Sequence, residues 1–283
     1  MKNITLSNGV EIPVLGFGTF QITDPVEVVN SVKSAIQAGY RHIDTAQSYM
    51  NEEAVGRGIK ESGVPREEIF LTTKIWVEHT TYEGVLDSFE GSLKRLDVDY
   101  VDLLLLHQPY NDTFGAWRAM EELLEAGKVR SIGVSNFSAD QIINLATYNK
   151  VTPHMNQIEA NPFHQRKEYI QLLKDEGIVP EIWAPFAEGM NNLFENEILN
   201  KIGEKYDKTA AQVVLRWLVE QDTVVLAKTV RPERMKENLD VFDFSLDAED
   251  KEKIKSLDQE ISQFFDHKDP EIIKNMATRK LGL

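Results

Sequence analysis

Four residues that could share one reaction stand at or just beyond the ends of short apolar runs. Asp44 closes Arg41-His42-Ile43-Asp44, Lys74 closes Leu71-Thr72-Thr73-Lys74, and His107 follows Leu103-Leu104-Leu105-Leu106. Tyr49 lies in the segment that leaves Asp44. A free phenol has a pKa of about 10, too high for easy proton exchange at neutral pH. An ammonium beside it stabilises the phenolate and is expected to lower that value, while a carboxylate holds the ammonium in place. Tyr49, Lys74 and Asp44 therefore read as a tuned general acid. A neutral His107 beside them would orient and polarise a carbonyl oxygen. The set contains a proton donor and no nucleophile, so the carbon must be attacked by another species, namely a hydride. Taken singly, Asp44 and Lys74 could be a structural ion pair, His107 a core histidine and Tyr49 a loop aromatic. Their shared position at strand ends is what favours chemistry.

A metal centre is the competing reading for His and Asp so placed. The six histidines form no His-x-His or His-x-x-x-His pair at the strand ends, and Lys74 would set a positive charge beside the ion, so no metal is expected. The chain has no cysteine, which excludes disulfides, thiolate catalysis and cysteine zinc sites. Against 31 basic residues stand 46 acidic ones, a net charge of −15 that repels nucleic acid and anionic lipid. No stretch approaches the roughly 20 apolar residues of a membrane span. Behind Met1-Lys2-Asn3-Ile4-Thr5 there is no apolar run of signal-peptide length. The expected partner is a small carbonyl compound rather than nucleic acid or membrane, the expected setting is the cytoplasm, and the expected state is a monomer or a dimer.

The elements that must position these residues are legible in the spacing. Ile4 and Leu6, then Ser7-Asn8-Gly9, then Val10 and Ile12 predict a short β-hairpin over residues 4–12. Apolar runs then recur near 14–19, 40–44, 69–74, 101–106, 130–135, 154–159, 179–183 and 223–226. The run Val101-Asp102-Leu103-Leu104-Leu105-Leu106 is nearly continuous, as in a parallel strand buried on both faces. Helical spacing lies between the runs, with Val29, Val32 and Ile36 on one stripe and Trp117, Met120 and Leu124 on another. Ser138 with Gln141, and Thr209 with Gln212, fit capping boxes. Alternating strands and helices predict a parallel sheet, and eight strands favour an α/β (β/α)₈ TIM barrel over an open doubly wound sheet. With 42% hydrophobic and 27% charged residues and no low-complexity tract, residues 1–283 read as a single barrel domain. The last forty or so residues read as a helix over 248–258 and an irregular tail. A barrel of this kind puts its site at the C-terminal strand ends, where the four residues stand.

At these residues the sequence resembles the aldo-keto reductase family. Gly39-Tyr40-Arg41-His42-Ile43-Asp44-Thr45-Ala46 with Tyr49-Met50-Asn51-Glu52-Glu53-Ala54-Val55-Gly56 resembles its first signature. Leu96-Asp97-Val98-Asp99-Tyr100-Val101-Asp102-Leu103 leading to His107 resembles the second, and Val225-Leu226-Ala227-Lys228-Thr229 with Arg234 and Glu237-Asn238 the third. The subgroup most similar is that of bacterial reductases of diketogluconate and small α-dicarbonyls. The resemblance implies a catalytic tetrad of Asp44, Tyr49, Lys74 and His107. It implies that Ser135, Asn136 and Gln157 hold a nicotinamide carboxamide on which Trp183 stacks. It implies that the diphosphate lies along Pro185-Phe186-Ala187-Glu188-Gly189, with Phe186 and Glu188 in contact, and that Gly18, Thr19 and Asn238 join the cofactor site. Ala227, Ala184 and Gln108 depart from the proline, serine and tryptophan common at these places.

The segment Lys228-Thr229-Val230-Arg231-Pro232-Glu233-Arg234 follows the eighth strand, where barrels tend to bind phosphate. Pro232 fits the first turn of a helix, so Thr229 and Val230 would lie at its positive end. Lys228 and Arg234 add local positive charge to an acidic chain, which matches the 2′-phosphate of NADPH. Phe20, Trp76, His107 and Gln108 are the expected substrate contacts. The alternative to a reductase is a non-catalytic sensor or partner-binding module that binds NADPH on the same fold.

Overall fold

The computed structural model describes residues 2–282. Strands β1 (Asn3–Thr5) and β2 (Glu11–Pro13) pair antiparallel, with Gly9 at φ 85° in the turn between them. Eight strands then run parallel: β3 (Leu15–Gly18), β4 (His42–Asp44), β5 (Phe70–Ile75), β6 (Val101–Leu106), β7 (Val129–Ser135), β8 (Met155–Glu159), β9 (Val179–Trp183) and β10 (Val224–Ala227). They bond in the order β10-β3-β4-β5-β6-β7-β8-β9, and β9 pairs with β10 to close a barrel. All eight fall within a few residues of the apolar runs.

Around the barrel stand α1 (Pro25–Ala38), α2 (Glu52–Ser62), α3 (Tyr82–Leu96), α4 (Thr113–Glu125), α5 (Ala139–Thr147), α6 (Lys167–Asp175), α7 (Glu197–Tyr206), α8 (Ala210–Val219) and α9 (Pro232–Leu239). Their starts follow local chemistry. Asp24 accepts from the Glu27 N–H at 2.8 Å with Pro25 in the first turn of α1, and both expected capping boxes form, on α5 and α8. In α4 the buried residue of the last turn is Leu123, while Leu124 is half-buried.

The tail differs from its expectation. Helix α10 (Ala248–Lys255) stops short of 258, and the segment beyond it carries a further helix, α11 (Pro270–Thr278). Asp269 accepts from the Glu271 N–H at 2.8 Å, with Pro270 in the first turn, which is a start signal too short to be read without its neighbours.

Two apolar clusters explain why β6 reads as a continuous run. Leu104 and Leu106 pack into the shell between strands and helices, whereas Leu103 and Leu105 face inward with Phe70, Met155 and Val224. Leu6 and Ile12 of the hairpin join that inner cluster and plug one end of the barrel. Among the described residues no helix is long and apolar enough to cross a membrane.

Candidate active site

Side chains alternate along a strand, so inward residues recur at every second position. Asp44 ends β4, Lys74 lies near the end of β5, His107 follows β6, and a short 3₁₀ turn over Gln47–Tyr49 presents the phenol. Gln47 anchors that turn by accepting from the Trp76 N–H at 2.9 Å and donating to Ser92 Oγ at 3.2 Å. The wholly buried Lys74 Nζ donates to Asp44 Oδ1 at 2.5 Å, to the Thr45 carbonyl at 3.0 Å and to Tyr49 Oη at 3.3 Å. His107 Nδ1 lies 3.2 Å from Ser48 Oγ, and its ring meets that of Tyr49 edge-on at 5.6 Å. The four residues therefore meet, as their spacing predicts.

Electrostatics modify one expectation. Burial pushes the Tyr49 phenol above its ordinary pKa, and the Lys74 ammonium opposes this without reversing it; Asp44 and Glu181 add to the rise. The sequence predicts a lowered value because it shows the charged neighbour but not the desolvation. Burial also works against the Lys74 charge, but Asp44, Tyr49 and Glu181 outweigh it and raise its pKa. Burial raises the Asp44 carboxyl against the pull of Lys74 and Gln157. His107 is held well below its usual value by burial and then by the charges of Lys74 and Arg279, so its ring is neutral.

A cavity of about 600 Å³ opens above this group. It is lined by Asp44, Tyr49, His107 and the expected substrate contacts Phe20, Trp76 and Gln108. Gly18, Ser135, Asn136, Gln157, Trp183, Phe186, Glu188 and Lys228 line it too. Gln157 Nε2 donates to Asp44 Oδ2 at 3.0 Å and to Glu181 Oε2 at 2.7 Å, and its Oε1 takes no hydrogen bond from the described residues. Asn136 Nδ2 donates to the His107 carbonyl and to Ser135 Oγ, and its Oδ1 accepts from Trp183 Nε1 at 2.9 Å. Gln21 of the β3–α1 loop donates to Glu188 of the β9–α7 loop at 3.1 Å across the cavity mouth.

Five expected cofactor contacts lie outside this cavity. Thr19 is fully buried and donates to the Asp44 carbonyl at 3.0 Å, which makes it part of the frame behind Asp44. Asn238 is buried on α9. Thr229, Val230 and Arg234 surround the start of α9, where Pro232 is the first residue, and Val230 and Arg234 are exposed. Among the described residues no three His, Asp or Glu side chains are grouped to hold a metal ion.

Several lining residues escape sequence reasoning. Phe264, Phe265, Met276 and Arg279 come from the tail. Arg279 donates to the Ser48 carbonyl at 3.0 Å, and its own carbonyl accepts from Trp76 Nε1 at 3.1 Å. The apolar Ile273, Met276 and Leu281 pack on Trp76, Val77 and Tyr110, and this spacing was the available signal. Glu181 is the other omission. It stands two residues before Trp183 on the inward face of β9, so the strand period alone aims it at Gln157.

Comparison with known proteins gives the family. Residues 14–259 match the aldo/keto reductase family. The chain is 46% identical over 258 residues to the glyoxal reductase of Bacillus subtilis (strain 168), covering 91% of this chain and 93% of that protein. It is 40% identical over 259 residues to the methylglyoxal reductase DkgA of Escherichia coli (strain K12), covering 90% and 93%. The crystal structure of Bombyx mori aldo-keto reductase in complex with NADP is similar at a TM-score of 0.90 and 32% identity, over 97% of each chain. With a family match that spans the whole barrel and relatives this similar over nine-tenths of its length, the chain belongs to the aldo/keto reductase family.

Proposed function

We propose that this chain, acting as one domain in the cytoplasm, reduces small aldehydes and ketones to alcohols with NADPH. The observation that carries the reading is the buried Lys74 ammonium, bonded at once to the Asp44 carboxylate and the Tyr49 phenol on a cavity floor. When bound, the nicotinamide supplies the hydride. Tyr49 gives its proton to the carbonyl oxygen as C=O becomes CH–OH, and Lys74 stabilises the phenolate that forms. Asp44 holds Lys74 charged and in place. Ser48 O–H donating to His107 Nδ1 leaves the Nε2–H of a neutral ring to donate to the same carbonyl oxygen. Water then returns a proton to Tyr49.

The cavity fits the cofactor on the chain's own polar atoms. Gln157 Oε1 is open to accept the carboxamide N–H, and Ser135 and Asn136 lie beside it, where one of them would have to turn its donor from the Gln157 or His107 backbone carbonyl to meet the carboxamide oxygen. Trp183 and Phe186 supply flat apolar surface, and Lys228 with Arg234 would meet the 2′-phosphate. On the substrate side, Gln108 is buried and its Oε1 has no hydrogen-bond partner. Turned toward the cavity that Gln108 lines, this unmet acceptor would favour a substrate that carries a hydroxyl or hydrated carbonyl next to the reacting one. Small α-dicarbonyls meet that need, and the names of the Bacillus and Escherichia relatives support the class.

The test is NADPH oxidation by the purified protein with methylglyoxal, against propanal as a carbonyl of similar size without the second oxygen. A higher kcat/KM for methylglyoxal is expected. Tight NADPH binding without turnover of either compound would overturn the reductase reading in favour of a sensor.

A further inference from the structure

Glu181 is fully buried and takes no part in the proton transfer described above. Its Oε2 accepts from Gln157 Nε2 at 2.7 Å, while the other N–H of that amide goes to Asp44 Oδ2 at 3.0 Å. Both donors of the Gln157 amide are therefore spoken for by carboxyl oxygens. An amide whose two N–H groups are fixed can present only its carbonyl oxygen elsewhere. Gln157 lines the cavity, so that oxygen is what the cavity receives.

The polar layer beneath the site is built around this carboxyl. Glu181 Oε1 has no hydrogen-bond partner and lies 3.6 Å from His42 Nε2, with both side chains fully buried. His42 Nε2 instead shares a 3.1 Å contact with Thr72 Oγ1. Gly16 makes the room for His42, since a Cβ there would come within 2.5 Å of His42 Nδ1. Burial holds His42 neutral, down to about 3, so no cation at that place balances Glu181. Leaving a buried carboxyl with one idle oxygen costs stability, and such a cost persists where the group does a task.

We propose that Glu181 is a positioning residue for the cofactor: with Asp44 it locks the Gln157 amide so that Oε1, never Nε2, faces the nicotinamide carboxamide. The proposal rests on the reading above that Gln157 accepts the carboxamide N–H. Without Glu181 the amide keeps only its bond to Asp44 and is held less firmly, and an N–H that turns to face the carboxamide N–H repels it. The effect is specific to cofactors that carry that N–H, which a general loosening of the barrel would not be.

The probe is NADP⁺ against 3-acetylpyridine adenine dinucleotide phosphate, in which a methyl replaces the carboxamide NH₂. The ratio of their dissociation constants is measured for wild type, Gln157→Leu, Glu181→Leu, Glu181→Met and Glu181→Gln, each checked for folding by circular dichroism. In wild type the analogue should bind about tenfold more weakly, the worth of one buried hydrogen bond. That ratio should fall to near one in Gln157→Leu and severalfold toward one in both apolar Glu181 variants, where the Asp44 bond remains. It should persist in Glu181→Gln, whose amide oxygen can still accept from Gln157. A ratio near one in wild type would show that Gln157 does not meet the carboxamide and would sink the underlying reading. A ratio lost in Gln157→Leu but kept in Glu181→Leu and Glu181→Met would sink only the role of Glu181. If neither apolar variant folds, Glu181→Gln still decides, because loss of the ratio there would contradict an accepting role that needs no charge.

Discussion

In the proposed reaction Tyr49 would act through a phenol that burial keeps protonated, beside a lysine that burial fails to discharge. A raised pKa is consistent with an acid that must hold its proton until the hydride arrives. On that proposal Lys74 would matter most in the transition state, when a phenolate would form 3.3 Å from its ammonium. Replacing Tyr49 by Phe should lower kcat by about 10²- to 10⁴-fold, the usual share of a positioned general acid. NADPH affinity measured by fluorescence titration should stay within about twofold, because the phenol is not needed to hold the cofactor; a variant with a tenth of the wild-type kcat would contradict the assignment. Lys74→Met is a less clean test, since it would leave the Asp44 carboxylate buried without its cation and cost stability as well as rate.

At the scale of elements, the site is shared between strand ends that point and loops that cover. The β10–α9 loop brings Lys228 to the cavity while Arg234 stands exposed in the first turn of α9. The N-terminal end of a helix favours an anion, and the two side chains add charge of the same sense. Lys228→Ala and Arg234→Ala should each weaken NADPH binding roughly ten- to a hundredfold and leave NADH nearly unaffected. Equal losses for both dinucleotides, measured by titration, would remove the 2′-phosphate from this loop. The tail containing α11 closes the opposite side, where Met276 and Arg279 line the cavity against Trp76. Deleting residues 270–283 should raise KM for the carbonyl compound several-fold and leave the NADPH dissociation constant unchanged, since in the proposed arrangement Met276 and Arg279 line the substrate side. A rise in the NADPH constant of the same size would place the tail over the cofactor instead.

For the molecule as a whole, the polar layer inside the barrel sets a pH dependence of stability. Burial, with Asp44 adding to it, raises the Glu181 carboxyl from its usual 4.5 to about 8, against Gln157 and Lys74, which lower it. A carboxyl with a raised folded-state pKa binds its proton more tightly folded than unfolded. Its stabilising share is thus full below about 4.5 and is lost as pH rises to about 8. Gln in its place cannot ionise. The difference in Tm between Glu181→Gln and wild type should therefore move in favour of the variant from pH 5 to pH 8.5, as followed by circular dichroism. A difference that stays constant over that range would mean that Glu181 titrates near its ordinary value in the folded barrel.

Period and end signals were enough to predict the eight strands, the hairpin and the two capping boxes, because each depends on residues a few positions apart. The meeting of Asp44, Tyr49, Lys74 and His107 was also legible, since a parallel barrel must bring its strand ends to one rim. Three features were decided only by the tertiary structure. Desolvation of Tyr49 depends on how much protein surrounds it, which no neighbour in the chain reports, and it reversed the expected direction of the pKa. The placement of α11 depends on Trp76 and Tyr110, which lie far back along the chain, Trp76 some two hundred residues from its partner Arg279, so the tail looked irregular by itself. Glu181 gains its meaning from Gln157 and Asp44, which reach it from two other strands. Local spacing carries the direction in which a side chain points, whereas burial and the partner it finds there exist only once the barrel has closed.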